Sequence, residues 1–412
     1  ACWRRYLFLC AKVRQNPTPK LIKAISKEQF LMQGLLSYLP NCKQLKMTEK
    51  LSAARWAMMP AESLCPMKNC TPVFRYFRFF TCRKRGPPMA VPAKLDPKAL
   101  KPELADFREK TDAFYAGQMP KPEYKGFSGY FGSYAQRSGE ASMLRLRMPA
   151  GRVTKQRLAF VAGALRSGVK RLHFTTCQTI QLHDLVPEQL YRLIEGALDV
   201  GIIPLGGGGD FPRNVMCSPL AGAAADEYFD VTPWAEAAGD YLLHFLHAEK
   251  MPRKLKVGFS SSPANLPHAT FRDLGFAARP DSLFDVYSAG GLGGSPKFGV
   301  KVAEAVAPDQ ILYYIKAMWL TFRAYGNYEN RAKARTRYMQ DALGGPEAYA
   351  AAYREKLDEV YRTEDLTLTG VAAPVLAKTG APDAALAAEP RVTAQKQPGL
   401  YAVAWHPLGG MP

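Results

Sequence analysis

Between Ser142 and Leu198, segments with the hydrophobic pattern of a strand alternate with segments with the pattern of a helix. This alternation limits the possible fold more than any other feature of the chain. The predicted elements are, in chain order, a strand over Ser142–Met148, a helix from the N-cap Thr154 through Arg166, a strand over Arg171–Thr176, an extended piece over Thr179–His183 and a helix over Val186–Leu198. Two strand–helix repeats of this length indicate an α+β unit of ferredoxin-like type.

Residue spacing within these elements predicts which faces are buried. On the first helix, Leu158, Val161 and Leu165 form an apolar stripe that should pack on the core. On the first strand, Arg145 and Arg147 lie two residues apart and therefore share one face.

A second, larger α/β unit is predicted downstream. Its expected elements are a loop over Asp210–Ser218, a helix from Thr232 to about His247, strands over Leu255–Phe259 and Leu283–Ser288, a helix over Pro308–Tyr325, a basic helix ending at Met339 and a helix over Glu347–Arg362. The expected domains are a leader at 1–88, an extended arm with one short helix at 89–135, a ferredoxin-like half-domain at 136–204, the α/β domain at 205–365, a linker at 366–398 and the cut start of a second half at 399–412.

Charge divides the chain into two parts. The 412 residues carry a net charge of +19, but residues 1–88 hold 17 Lys or Arg and three acids, against 38 and 33 in the remainder. Overall, 47% hydrophobic and 22% charged residues is ordinary globular composition, and no apolar run approaches the roughly 20 residues that span a bilayer. A membrane protein is therefore not expected, and the cysteine-poor main part indicates a cytoplasmic protein.

Three interpretations of the first 88 residues remain open. Basic and aromatic residues around Phe74–Arg85 would suit a nucleic-acid-binding arm. Cys65, Cys70 and Cys82 would suit a metal site, although their spacing is irregular for zinc. Sequence without periodicity and with few acids favours the third interpretation, a disordered or non-native leader before a natural start at Met89.

Single motifs in the main part are weak signals. The run Gly206–Gly209 lacks the lysine and hydroxyl residue of a phosphate loop, so a flexible turn is expected. Cys177 and Cys217 have no diagnostic spacing, and buried inert cysteine is the more common case. His183 alone is more often structural than catalytic.

Paired cations form a stronger pattern. Arg145 and Arg147 share a strand face, and Lys254 and Lys256 are expected to repeat that geometry. Arg213 lies in a loop, and three further arginines have helical spacing: Arg331, Arg335 and Arg337. Same-face cations on several elements indicate a polyanionic ligand, because the guanidinium fork binds carboxylates without losing its charge.

These residues resemble the nitrite and sulfite reductases, which use sirohaem and an iron–sulfur cluster. The resemblance covers about residues 130–345 and is carried, in order, by Met143–Gly151, His173–His183, Gly209–Pro219, Pro252–Lys256, Gly290–Gly293 and Gly326–Arg335. It implies two repeated halves, each a ferredoxin-like piece followed by a larger α/β domain, of which this chain would hold the first. The implied reaction is the six-electron reduction of sulfite to sulfide or of nitrite to ammonia.

Site residues follow from the resemblance by position. The implied substrate cations are Arg145, Arg213, Lys254 and Lys256. The implied sirohaem-binding residues are Arg147, Gln181, His183, Asn214, Arg253, Arg331 and Arg335. An electron donor such as ferredoxin or a reductase subunit is implied as a partner.

Two departures from the family pattern affect this expectation. Cys177 stands where the family usually has arginine. The family's four 4Fe–4S ligands are cysteines in the second half, and only Cys177 and Cys217 follow residue 88 here. The cluster ligands and the second half would therefore come in cis or in trans, and a non-catalytic split subunit or a nucleic-acid-binding protein remains an alternative.

Overall fold

The computed structural model describes residues 89–375 and 377–405. The interpretations of the leader at 1–88 concern residues outside this range, as do those of residues 406–412. In the described part, no helix is long and apolar enough to cross a membrane.

Nine α-helices lie in the described residues: α1 Leu104–Tyr115, α2 Lys121–Ser128, α3 Lys155–Arg166, α4 Pro187–Asp199, α5 Thr232–Leu243, α6 Ile311–Tyr325, α7 Met339–Ala342, α8 Pro346–Thr363 and α9 Ala384–Ala387. The strands of the same residues are β1 Met89–Ala90, β2 Ser133–Ala135, β3 Ser142–Leu146, β4 Arg171–Phe174, β5 Ile180–Leu185, β6 Met216–Cys217, β7 Val257–Ser260, β8 Leu274–Ala278, β9 Phe284–Ser288, β10 Val300–Val306, β11 Glu364–Asp365, β12 Val392–Ala394 and β13 Tyr401–Val403.

The first unit is a four-stranded antiparallel sheet in the order β2-β3-β5-β4, with α3 between β3 and β4 in the chain and α4 after β5. Arg145 of β3 and His173 of β4 both pair with Gln181 of β5. Thr154 caps α3 by accepting a hydrogen bond from the Arg157 N–H, as its sequence position predicts. The ferredoxin-like α+β prediction is confirmed.

The predicted apolar stripe of α3 is wrong. Leu158 and Leu165 are 56% and 41% exposed, whereas Val161 is 3% exposed. The packing of α3 on α4 explains this rotation, because the Phe160 ring fills the space above Gly196, where a Cβ would lie 3.0 Å from it. The inward face is therefore set by an aromatic–glycine contact that the leucine spacing does not reveal.

The second unit is a mixed five-stranded sheet in the order β10-β9-β8-β7-β6. The pairs β6–β7 and β7–β8 are parallel, and the other two are antiparallel. Its core includes side chains of α5, α6 and α8. Strands β8 and β10 were missed in the sequence, since Leu274–Ala278 is uniformly apolar and Val300–Val306 has no clear alternation.

Two predicted segments, the arm and the basic helix, differ from the structure. The arm holds a second helix, α2, and buries Leu100 and Phe107 in the core of the first unit, so it is not extended. The basic helix before Met339 is instead two 3-10 turns, Arg331–Lys333 and Thr336–Tyr338. Arg335 has extended backbone between these turns, which breaks the helical spacing on which the prediction relied.

The segment predicted as a linker has structure of its own. It contains α9 and β12, and β12 pairs with β13 in an antiparallel hairpin. Lys396 forms an ion pair with the buried Glu227, and Gln397 donates a hydrogen bond to the Gly222 carbonyl at 2.8 Å. These contacts with the second unit order a sequence whose Ala/Pro/Thr composition had suggested a spacer.

Candidate functional site

A cavity of about 400 Å³ contains most of the predicted site residues. Eight of its fifteen lining residues are Lys or Arg, and none is Asp or Glu. The cations are Lys125, Arg145, Arg147, Arg213, Arg253, Lys254, Lys256 and Arg331. A concave site with this charge favours a bound anion, because its cations repel one another and only Arg253 and Arg331 have a carboxylate partner in the described part.

Arg145 enters the cavity from β3. Its Nη1 donates to the Gly207 carbonyl at 2.7 Å. The hydrogen-bond network orients the Gln181 amide so that Oε1 accepts from Arg145 Nη2 at 2.5 Å and Nε2 donates to His183 Nε2 at 3.2 Å. Burial lowers the pKa of Arg145. Gln181 thus orients Arg145 and does not line the cavity itself.

The run Gly206–Gly209 forms a turn, as predicted, but this turn is packed against neighbouring backbone beside the cavity. Gly206, Gly207 and Gly208 are buried, and Gly209 is half-buried. A Cβ on Gly208 would lie 2.5 Å from the Gly129 carbonyl oxygen, and one on Gly207 would lie 2.7 Å from that of Pro204. The missing side chains let the backbone approach closely and offer its carbonyls to the arginines.

Arg213 and Arg147 contact this turn and its flanking residues. Arg213 donates to the Gly207 and Gly209 carbonyls, while Arg147 donates to those of Leu205 and Pro212 at 3.2 Å. Burial lowers the pKa of each to about 10, and the charge of Arg213 adds to the effect on Arg147. Arg147 is buried and Arg213 is half-buried, and neither has an ion pair in the described part, an arrangement that favours a bound anion.

Lys254 and Lys256 also line the cavity. They precede β7 and do not lie within it, so the predicted strand placement is wrong although both residues reach the same cavity. Burial and the charges of Arg213 and Lys256 lower the pKa of Lys254 to about 8. Neither ammonium group has an ion pair or hydrogen bond within the described residues.

The remaining predicted cations have carboxylate partners. Arg253 and Arg331 both bind Asp210, at 2.7 and 2.8 Å. Burial raises the pKa of Asp210, whereas the hydrogen bonds from Arg331 and Arg253 lower it. The net result is a lowered pKa. Arg335 binds Asp273 at 3.0 Å and lies outside the cavity lining. The carboxylate of Asp273 raises the pKa of Arg335.

Asn214 and His183 have supporting positions. Asn214 lines the cavity and donates through Nδ2 to the backbone oxygens of Cys177 and Gln178, both at 3.0 Å. His183 lies on β5 away from the lining residues, and burial together with the positive charge of Arg171 lowers its pKa. A neutral imidazole is consistent with the hydrogen bond that its Nε2 accepts from Gln181.

The two cysteines of the described part differ in environment. Cys177 is half-buried and lines the cavity. Cys217 is fully buried, and burial raises the pKa of its thiol to about 12, as expected of an inert cysteine. Across residues 89–375 and 377–405, no group of three or more His, Cys, Asp or Glu side chains could hold a metal ion.

Sequence reasoning missed several lining residues. Lys125 of α2 and Tyr134 of β2 line this cavity and also a neighbouring one of about 700 Å³. Thr175, Thr176 and Thr179 add hydroxyl groups. The threonines and Asp210 lie within the motifs that carry the resemblance, and that proximity was the available signal. Lys125 lies in the arm and had no such signal.

Fold and cavity together define the class: an α+β protein with a ferredoxin-like sheet and a cavity lined by eight cations. Sequence comparisons identify the family. Residues 134–200 match the family model described as "Nitrite/Sulfite reductase ferredoxin-like half domain", and residues 208–360 match "Nitrite and sulphite reductase 4Fe-4S domain". The chain belongs to the nitrite and sulfite reductase family.

Two relatives in sequence agree with this assignment, and a solved structure shares the fold. The chain is 30% identical over 238 residues to the sulfite reductase [NADPH] hemoprotein beta-component of Thiocapsa roseopersicina, covering 49% of this chain and 42% of that relative. It is 30% identical over 267 residues to the sulfite reductase [NADPH] subunit beta of Schizosaccharomyces pombe, covering 54% and 18%. The Mycobacterium tuberculosis NirA structure has the same fold, with a TM-score of 0.56, 23% identity and coverage of 76% of this chain and 59% of that one. The chain spans less than half the length of these two sequence relatives.

Proposed function

We propose that this chain forms the oxyanion-binding half of a sirohaem-dependent reductase that acts on sulfite or nitrite. The observation that carries the proposal is the cavity, whose lining holds eight cations and no carboxylate. Only Arg253 and Arg331 of these cations have an ion pair in the described part, both with Asp210, and the Lys254 and Lys256 ammonium groups have none. The relatives are named as sulfite reductases, which supports sulfite, and as a beta-component, which supports a separate protein that supplies electrons, a ferredoxin or a reductase subunit.

Each cation would have a defined task. Arg145 and Arg213 are fixed by the glycine carbonyls and would hold the oxyanion by charge-assisted hydrogen bonds. Lys254 and Lys256 would stabilise the negative charge that develops as oxygen atoms leave. Lys254 is the best proton donor of the set, because a pKa of about 8 lets it both hold and release a proton near neutral pH.

Sirohaem fits the donor set of the described residues. It carries many carboxylates, and burying them requires matching cations. Arg147, Arg253 and Arg331 line the cavity, and the Nε atoms of Arg213 and Arg335 are buried without a hydrogen-bond partner in the described part. When bound, sirohaem would supply electrons to the anion; this chain would supply the cations that hold both.

A 4Fe–4S cluster does not fit the described residues. Four cysteine thiolates normally hold such a cluster, and the described part contains only Cys177 and Cys217, of which Cys217 is buried in the core. The cluster ligands would come from a second half of the protein, in cis or in trans.

Two measurements test the proposal. Titration calorimetry at low ionic strength should show that the chain binds sulfite and nitrite at one site, and raised salt should weaken binding. Co-production with sirohaem should give a chain with visible absorbance, and Arg335→Met should reduce the sirohaem content. A chain that binds neither anion, and that stays colourless, would contradict the proposal.

A further inference from the structure

Two carboxylates link the same two cation-bearing segments. Segment 253–256 carries Lys254 and Lys256, and segment 331–336 carries Arg331 and Arg335. Asp210 joins the first ends of these segments, since its Oδ1 accepts from Arg253 Nη1 at 2.7 Å and its Oδ2 from Arg331 Nη1 at 2.8 Å.

Asp273 joins the other ends. Its Oδ2 accepts the backbone N–H of Lys256 at 2.8 Å, and its Oδ1 accepts from Arg335 Nη2 at 3.0 Å. Thr336 Oγ1 donates to the same carboxylate. The Asp273 side chain is 1% exposed, and these hydrogen bonds offset the free-energy cost of burying its carboxylate.

We propose that Asp210 and Asp273 are positioning residues that clamp segment 253–256 against segment 331–336, so that the ammonium groups of Lys254 and Lys256 stay unpaired and face the oxyanion. This inference rests on the proposed function. Neither carboxylate would touch the substrate; both act through the residues that they hold.

The choice of partners is the physical basis of the clamp. The carboxylates engage the arginines and a backbone amide, which bind with defined geometry. The flexible lysine side chains between these anchors keep their charge for a ligand. Because oxyanion binding depends on where those charges lie, a loosened segment should weaken binding even though no binding group is lost.

Hydrogen exchange tests the clamp without any ligand. In Asp210→Asn and Asp273→Asn, amides 253–256 and 331–336 should both exchange faster, with the rest of the described chain unchanged. The matched control is Asp285→Asn. Asp285 also bridges two cations, Arg279 at 2.9 Å and Lys301 at 3.1 Å, and its side chain is 17% exposed against 16% for Asp210. If Asp273→Asn does not fold, Arg335→Gln removes the same link.

Sulfite binding gives the second readout, and its sign separates two explanations. Removing a carboxylate makes the site more positive, so charge alone would tighten sulfite binding. The clamp instead requires that Asp210→Asn and Asp273→Asn each weaken binding by about tenfold or more, that Asp210→Glu restores part of it, and that Asp285→Asn leaves it unchanged.

The outcomes distinguish this inference from the proposed function. Unchanged exchange in both segments, or sulfite binding as tight as or tighter than in the wild type, overturns the clamp. If the wild-type chain binds no sulfite, the proposed function fails, and faster exchange in the two segments still decides whether the clamp exists.

Discussion

Lys254 and Arg213 lie on the wall of one cavity with no carboxylate among its lining residues, and the charge of Arg213 is the largest contribution, after burial, to the lowered pKa of Lys254. Two cations held together in this way raise the free energy of the site until an anion is bound. The relationship makes anion binding and the protonation of Lys254 interdependent.

Nitrite affinity should therefore fall above about pH 8. The lowered pKa means that Lys254 loses its proton as pH rises through about 8, and a neutral amine no longer attracts the anion. Calorimetry between pH 7 and 10 should show weaker binding on the alkaline side in the wild type and a flatter profile in Lys254→Met. Equal pH profiles for the two proteins would show that Lys254 does not titrate with the site.

The contribution of Lys254 to folding stability should rise over the pH range in which nitrite affinity falls. The unfolded chain keeps this lysine protonated up to its ordinary pKa of 10.5, so between about pH 8 and 10.5 the unfolded state binds more protons. The contribution of Lys254 to the free energy of unfolding should thus increase with pH over that range. The difference in stability between wild type and Lys254→Met, from urea melts at several pH values, measures it.

Gly208→Ala should destabilise the protein by about 1–3 kcal/mol, the usual cost of overpacking. The new Cβ would lie 2.5 Å from the Gly129 carbonyl oxygen, and backbone must move to admit it. Gly294→Ala is the control, since nothing lies within 4 Å of its Cβ position. Urea denaturation compares the two variants, and equal midpoints would mean that the glycine turn is loosely packed.

The orientation of α3 can be checked by two truncations. Val161→Ala should cost about 1–3 kcal/mol because it leaves a void in the core, whereas Leu158→Ala should stay within about 0.5 kcal/mol because that side chain is exposed. Thermal or urea denaturation provides the measurement. A larger loss of stability for Leu158→Ala than for Val161→Ala would instead support the buried face that the leucine spacing predicts.

Thiol labelling should separate Cys177 from Cys217 in the folded chain. Iodoacetamide should modify Cys177, which lines the cavity, and leave Cys217 unmodified because it is fully buried with a pKa of about 12. Peptide mass spectrometry reads both sites in one sample. Bound sulfite should slow labelling of Cys177, and equal labelling of the two cysteines would contradict the described burial.

Local signals in the sequence predicted much of the first unit. Thr154 caps the start of a helix, Gly168 ends one with a left-handed backbone, and Pro187 begins the next with its fixed φ. Each of these signals depends on adjacent residues alone. The rotation of α3 could not be predicted, because it depends on the contact of Phe160 with Gly196, 36 positions away in the sequence.

The candidate site was likewise predicted only in part from the sequence. Arg145, Arg213, Lys254 and Lys256 were identified by residue type and resemblance, and the structure brings all four to one cavity. Their roles remain predictions. Asp273 was not identified, because its partners Lys256 and Arg335 are distant from it in the sequence and contact it only in the folded structure. The extended backbone at Arg335, where a helix was predicted, brings that arginine to Asp273.

The most direct test of the account is nitrite binding by the double variant Lys254→Met/Lys256→Met at pH 7, measured by calorimetry at low ionic strength beside the wild type. Lys170→Met, which removes an exposed lysine outside the cavity lining, is the control. Losing two unpaired cations should weaken binding by about a hundredfold or more, since each charge-assisted contact contributes roughly 1.5–3 kcal/mol, and the control should bind as the wild type does. If the double variant binds nitrite as tightly as the control, the cavity is not the oxyanion site.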